Sequence, residues 1–366
     1  MKKLRFALPV ACLCAPLLAA CSVVDHPPTP ITVTATPAPP SAPPEGVIGP
    51  FHFPPGINPL TGQPADEPGA LDRRPLAIKI SNAPASVRPQ AGIGEADLVF
   101  EHYVEGHLTR FTAIFWSRTP PRVGSVRSAR LIDLELPAMY GALFAYSGAS
   151  EPIRQRIAAL RFAPRAYEGV SVGSPLYYRD PEIEAPHNLF VIPAAVWERA
   201  TADGVSDPPD NLGGMAFVAT PPDDAPPARR ITLDYGPDVA RWDYDPDSGR
   251  YRRFVNGEPH RDANTGKQVT AANVVILYAH HQEDPTIVES EFQGRKDYSI
   301  EIQIWTLGPA QIARDGRILT GFWDRWEEDM MLSFWADEAA THMLFLKPGN
   351  TWFQVVPLDF AGVTFE

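Results

Sequence analysis

The 366-residue chain carries 32 Lys and Arg against 44 Asp and Glu, a formal net charge of -12, with 44% hydrophobic and 10% aromatic residues. That length holds about two domains at roughly 150 residues each, and the hydrophobic share is that of folded material. The acid excess argues against a nucleic-acid partner, because phosphate binding needs a concentrated cationic face.

The chain begins MKKLRFALPVACLCAPLLAAC. Lys2, Lys3 and Arg5 form a basic flank, and the apolar run from Phe6 to Leu18 is shorter than the ~20 residues a spanning helix needs. Leu18-Ala19-Ala20-Cys21 resembles the lipobox of bacterial lipoproteins. It implies a signal peptide over 1–20, cleavage before Cys21, and a lipid on that thiol holding the chain to the extracytoplasmic face of a bacterial membrane. All three cysteines, Cys12, Cys14 and Cys21, lie in this segment. The remainder has no thiol for a disulfide, a nucleophile or a thiolate metal site, and neither metal nor other cofactor is expected. Eleven of the 41 prolines fall between Pro27 and Pro55. Residues 21–55 therefore read as an extended, disordered tether, too poor in apolar side chains to offset the entropy of ordering.

Folding is expected to start near Asn58, giving an N-terminal domain over 56–204. PLAIKIS (75–81) reads as a buried strand. ADLVFEHYVEG and LTRFTAIFWS read as a hairpin turning at Gly106-His107. ARLIDLELPAMYG has helical periodicity with Ser128 as its cap, and ALFAYSGAS is a strand running into a small-residue turn. EPIRQRIAALRF is an amphipathic helix with Pro152 in its first turn, HNLFVI a strand, and PAAVWERATADG a helix ending on Gly204. Strands alternating with helices predict a mixed α/β or α+β layered domain. Residues 205–228, rich in Pro, Gly and Asp, read as a linker. The rest, 229–366, is strand-rich with turns at Asp247-Ser248-Gly249, Asn256-Gly257, Asp315-Gly316 and Pro348-Gly349-Asn350, which predicts a mostly antiparallel β domain.

Catalytic patterns are weak. GVSVG (169–173) matches a nucleophile elbow at Ser171, but Ser174-Pro175 follows where that mechanism needs a helix. DYDPDSG (243–249) has Ser248 where a calcium loop has glycine, and suits a tight turn better. GIGEAD (92–97) lacks the third glycine of a dinucleotide fingerprint. Trp323 and Trp352 fit a core better than a sugar-binding platform.

The polar cluster GSVRSARLIDLE (124–135) is more informative. Arg127 and Arg130 sit at or before a helix start, where the partial positive charge of the helix disfavours cations. They need either internal acids, with Asp133, Glu101 and Glu105 as candidates, or an incoming anion gripped bidentately. Ser147 and Ser150 in YSGAS, and His187 and Asn188 in PHN, stand where strands meet turns, as ligand groups of open α/β sheets often do.

The order NPLTGQP…RPLAIKISNAPASVRPQAGIGEADLVFEHYVEGHLTRFTAIFWS…VGSVRSAR…YSGAS…PHNLF resembles the YerB-like bacterial lipoproteins, defined by a domain of unknown function. YDPDSGRYRRFVNGEPHRDANTGKQVTAANVVIL…DGRILTGFW…PGNTWFQVVP resembles the C-terminal domain of the same family. The resemblance implies two domains on a lipid anchor. It places Arg110, the SVRSAR arginines and His187-Asn188 in one recurring motif set, without naming a reaction.

Two functions are expected. In the first, Arg110, Arg127 and Arg130 grip an anionic small molecule or cell-wall component, Asp133 and Glu101 orient them, and Ser147, Ser150, His187 and Asn188 supply hydrogen bonds. The alternative is a cell-wall-active hydrolase or transferase pairing His187 with Ser147, Ser150 or Ser171, or using Glu101 and Glu105 as acid and base. A purely structural envelope scaffold is the third possibility, and it would have no arginine-lined cleft.

Overall fold

The computed structural model describes residues 45–210 and 212–366; the leader, Cys21 and most of the expected tether lie outside the described residues. The central element is an 11-stranded sheet to which both halves of the chain contribute. From one edge run Ser333–Trp335, Arg317–Arg325, Thr306–Arg314, Asn273–Phe292 and Thr351–Pro357, all from the C-terminal half. Leu98–Tyr103, Thr109–Phe115, Leu76–Ser81, Leu143–Tyr146 and Ala166–Glu168 continue it from the N-terminal half, and Arg295–Gln303, paired with the outer end of Asn273–Phe292, is the eleventh strand. The seam is a parallel pairing of Thr351 to Val355 with Leu98 to His102.

Side chains alternate across this sheet as the pleat requires. One face shows Ala77, Phe100, Ile114, Phe144, Val275 and Phe353, covered by Leu131, Ile132, Met139 and helix residues Ile153 and Ile157. The other shows Ile78, Val99, Phe111, Ala145, Val274 and Trp352. Two further sheets cover it. Val123–Gly124, Leu189–Val191 and Tyr177–Arg179 form a small three-stranded one. A six-stranded antiparallel one contains Arg230–Asp234, Val239–Asp245 and Arg250–Val255 and delivers Ile231, Trp242 and Tyr251. The protein thus has an α+β N-terminal half and a mostly antiparallel β C-terminal half.

Helices Glu151–Ala159 and Pro193–Ala202 form with prolines in their first turns, where a missing N–H costs nothing. The expected helix over ARLIDLELPAMYG is a 3-10 turn, Leu131–Leu134, followed by one α-turn, Leu136–Met139, with Pro137 inside. Its cap is Arg130, whose backbone N–H donates to Asp133 Oδ2 at 2.7 Å, instead of Ser128. Residues expected in the tether and linker are partly packed. Ile48 and Phe217 exchange backbone hydrogen bonds at 2.9 and 2.8 Å, and Leu212, Met215, Ala216 and Phe217 are buried. Trp323 and Trp352 are core residues.

The second face holds an ion pair between the halves. Arg253 Nη2 donates to Glu101 Oε2 at 2.7 Å, and both side chains are sealed from solvent. Arg253 Nε donates to His260 Nδ1 at 3.0 Å, and its guanidinium lies 4.7 Å from the Trp352 ring centre. Asn82 and Thr109 donate to the other Glu101 oxygen, each at 3.1 Å. Removing one partner of such a pair leaves a buried charge without compensation. Glu101→Ala is expected to lower unfolding free energy by about 3–5 kcal/mol, measured by urea denaturation; a loss below 1 kcal/mol would show the pair to be dispensable.

Candidate functional site

Strands Leu76–Ser81, Leu143–Tyr146 and Ala166–Glu168 run parallel. The GSVRSAR loop crosses their C-terminal ends: Ser81 N–H donates to Ser125 O, Arg127 N–H to Lys79 O, and Ser147 N–H to Arg127 O, each at 2.9 Å. Arg127, Arg130 and Ser147 are thereby fixed to one end of the sheet, with Arg110 entering from the neighbouring strand.

Two of the three candidate arginines are already occupied. The strand carrying Glu101 ends at Tyr103, and the chain turns through Gly106 and His107, whose φ angles are 71° and 59°. This curls Glu105 towards the guanidiniums while Glu101 points through the sheet to Arg253. Glu105 Oε2 accepts from Arg130 Nε at 2.6 Å, and its Oε1 accepts from Arg130 Nη2 and, at 3.0 Å, from Arg110 Nη2. Backbone carbonyls take further donors: Ala129 from Arg130 and Ser128 from Arg110. Glu289 lies 3.5 Å from Arg130 and accepts from Ser150 Oγ at 3.2 Å. Burial and the Arg130 charge push Arg110 down to about 10. Burial alone would raise Glu105, but the Arg130 hydrogen bonds and the charges of both arginines outweigh it and hold the carboxyl at about 2.

Beneath this clamp lies a closed polar network that the sequence did not reveal. Lys79 is fully buried, and its ammonium donates to Asp133 Oδ2 at 2.7 Å, Thr112 Oγ1 at 3.1 Å and His102 Nε2 at 2.7 Å. His102 Nδ1 donates to Tyr103 O at 2.9 Å, so its Nε2 is the free lone pair that Lys79 meets. Thr112 donates to Asp133 Oδ1 at 2.7 Å. All three ammonium protons are taken, and Asp133 serves Lys79 and the Arg130 backbone in place of a guanidinium.

Arg127 differs. Its buried Nε has no partner, and among the described residues its guanidinium makes no ion pair or hydrogen bond. His187 Nδ1 and Ser125 Oγ are likewise buried and unpartnered. Burial lowers the His187 pKa, and the Arg127 charge lowers it further, which places the two groups within electrostatic reach. Burial and then the Arg130 charge also lower Arg127. Ser147 stands beside them through its backbone bond to Arg127. Ser125 was missed as a site residue, although it sits inside the quoted motif.

Other expected groups are engaged elsewhere. Asn188 accepts from Arg179 Nη1 at 2.7 Å and braces a hairpin. Ser150 precedes helix Glu151–Ala159, but its hydroxyl goes to Glu289. Gly169–Val172 forms a single α-turn that ends before Ser174-Pro175, and the Ser171 hydroxyl donates to Glu168. Glu101 and Glu105 face opposite sides of the sheet and cannot act as an acid–base pair.

The acid dependence of folding follows from Glu105. Its carboxyl is held at about 2 against an ordinary 4.5, so its contribution is complete above pH 4.5 and is lost as pH falls towards 2. Stability should drop by about 3 kcal/mol across that window. Glu105→Gln should be less stable at pH 7 and flatter between pH 4.5 and 2. Parallel pH profiles for the two proteins in urea denaturation would contradict this assignment.

The chain matches the model of the "Protein of unknown function (DUF3048)" N-terminal domain over residues 60–206 and that of its C-terminal domain over 231–353. It is 27% identical over 311 residues to "Putative lipoprotein YerB" of Bacillus subtilis (strain 168), covering 84% of this chain and 88% of the relative. The crystal structure of YerB protein from Bacillus subtilis superposes with a TM-score of 0.70 at 25% identity, covering 84% of this chain and 99% of that one. With both domain models matched in order and the fold shared, the chain belongs to the YerB-like DUF3048 family.

Proposed function

We propose that the protein is a lipoprotein anchored through Cys21 to the extracytoplasmic face of the bacterial membrane, where it binds an anionic cell-wall component at Arg127 and His187. The lipobox and the name of the relative support the anchor. The binding reading rests on one contrast: Arg110 and Arg130 are paired with Glu105, whereas Arg127 Nε and His187 Nδ1 are buried without partners. A buried nitrogen donor left unpaired costs about 1–3 kcal/mol, which an incoming carboxylate or phosphate would recover. Arg127 is the fixed cation and can bind an oxyanion through two parallel N–H donors. Burial and the Arg127 charge disfavour the protonated form of His187, and an anion that offsets that charge favours proton uptake there.

The expectation is pelleting of the full chain, in detergent, with isolated peptidoglycan, more tightly at pH 5.5 than at pH 7.5. Arg127→Ala should abolish pelleting without moving the urea midpoint, while Arg130→Ala should destabilise the fold by leaving Glu105 short of a counter-charge. Undiminished pelleting of Arg127→Ala contradicts the proposal.

A further inference from the structure

The opposite end of the same three parallel strands carries a second cluster of cations. Arg74, Gly141 and Arg165 each precede one of the strands Leu76–Ser81, Leu143–Tyr146 and Ala166–Glu168. Parallel pairing therefore brings them to one edge, although they lie up to 91 positions apart. Arg74 Nη1 and Arg165 Nη1 both donate to the Gly141 carbonyl, at 2.9 and 2.8 Å. One oxygen has two lone pairs and can accept both, but the contact holds two like charges side by side. Burial and the Arg74 charge push Arg165 down to about 10.

Among the described residues, neither guanidinium, nor that of nearby Arg161, lies within ion-pair distance of a carboxylate. Arg74 uses a further donor, Nε, on Val205 O at 3.1 Å. Of five donors on each guanidinium, three remain on Arg74 and four on Arg165. All three arginines line a cavity of about 530 Å³, together with Phe162. Glycine suits position 141, where φ is +54° and an added Cβ would press on Arg74 Nη1 at 3.3 Å and Pro209 at 3.0 Å. Asp210, Glu327, Glu328 and Asp329 line the same cavity, and the charges of Asp207 and Asp210 act on Arg74 from beyond ion-pair distance, leaving Arg165 the less compensated cation; cations and acids thus stand together within the ~300–1,000 Å³ of small-molecule sites.

The geometry points to a second binding site, separate from Arg127, that holds the oxyanion of a small zwitterionic ligand on Arg74 and Arg165 and its ammonium group near Glu327 to Asp329. The oxyanion is a carboxylate or a phosphate, and the probes distinguish these sources: alanyl-alanine carries the first and O-phosphoethanolamine the second, each with an ammonium group.

Calorimetric titration of the full chain in detergent should show binding of at least one probe. Arg165→Gln should weaken it roughly tenfold or more, the scale of a lost charged hydrogen bond. Arg161→Gln removes an exposed side chain that has no hydrogen-bond or ion-pair partner among the described residues, so it reports on the cavity even where Arg165→Gln disturbs folding, and it should weaken binding severalfold. The binding that Arg161 and Arg165 support should persist in Arg127→Ala. The inference is overturned when neither probe binds, when Arg161→Gln and Arg165→Gln both bind as the wild type does, or when Arg127→Ala alone removes binding.

Discussion

One carboxylate, Glu105, decides which cations of this protein are available. Partly buried Arg110 and buried Arg130 lie beside each other and beside buried Lys79, three positive charges at one end of a sheet. Coulomb repulsion in that setting is several-fold stronger than in water, and Glu105 offsets it by accepting from both guanidiniums at once. Asp133 does the same for Lys79. With Glu289 beside Arg130, three acids face these three cations, and among the described residues Arg127 alone of the candidate arginines has no carboxylate partner.

The clamp also fastens a part of the fold from the other half of the chain. Strand Asn273–Phe292 runs 20 residues and pairs with Arg295–Gln303 beyond the sheet, with irregular register near Asp284 and Val288. That outer hairpin lies over the clamp: Glu289 meets Arg130 and Ser150, Asp284 meets Arg156, and Ile287 is buried. On the opposite face Glu101 and Arg253 make the reciprocal link. The two family domains are therefore joined by the sheet seam and by ion pairs on both faces. Parallel strands in the N-terminal half give that sheet two chemically distinct ends, with Arg127 at one and Arg74 with Arg165 at the other.

Much of this was legible in the sequence. Gly106-His107, Asn256-Gly257 and Asp315-Gly316 adopt positive φ at the turns expected of them, and the alternation of LVFEHY and TRFTAIF placed the central hairpin. What failed was non-local. Glu101 and Glu105 look equivalent by spacing, yet the strand stops between them and sends one to Arg253, 152 positions away. Lys79 in PLAIKIS gives no local sign that His102, Thr112 and Asp133 will surround it. The outer half of Asn273–Phe292 was missed because Gln282 to Phe292 has polar residues on both faces and no period-2 signal. Pro and Gly in the 205–228 segment signal irregular backbone, which is compatible with the burial of Leu212 and Phe217 that composition alone did not suggest.

The most direct measurement is the anomalous difference map of a crystal soaked in selenate. The account predicts a selenium peak beside the Arg127 guanidinium, placed so that the selenate oxygens lie within hydrogen-bonding distance of its nitrogens, with Glu105 still bound to Arg110 and Arg130. An empty map around Arg127, or selenate displacing Glu105 from Arg130, would contradict it.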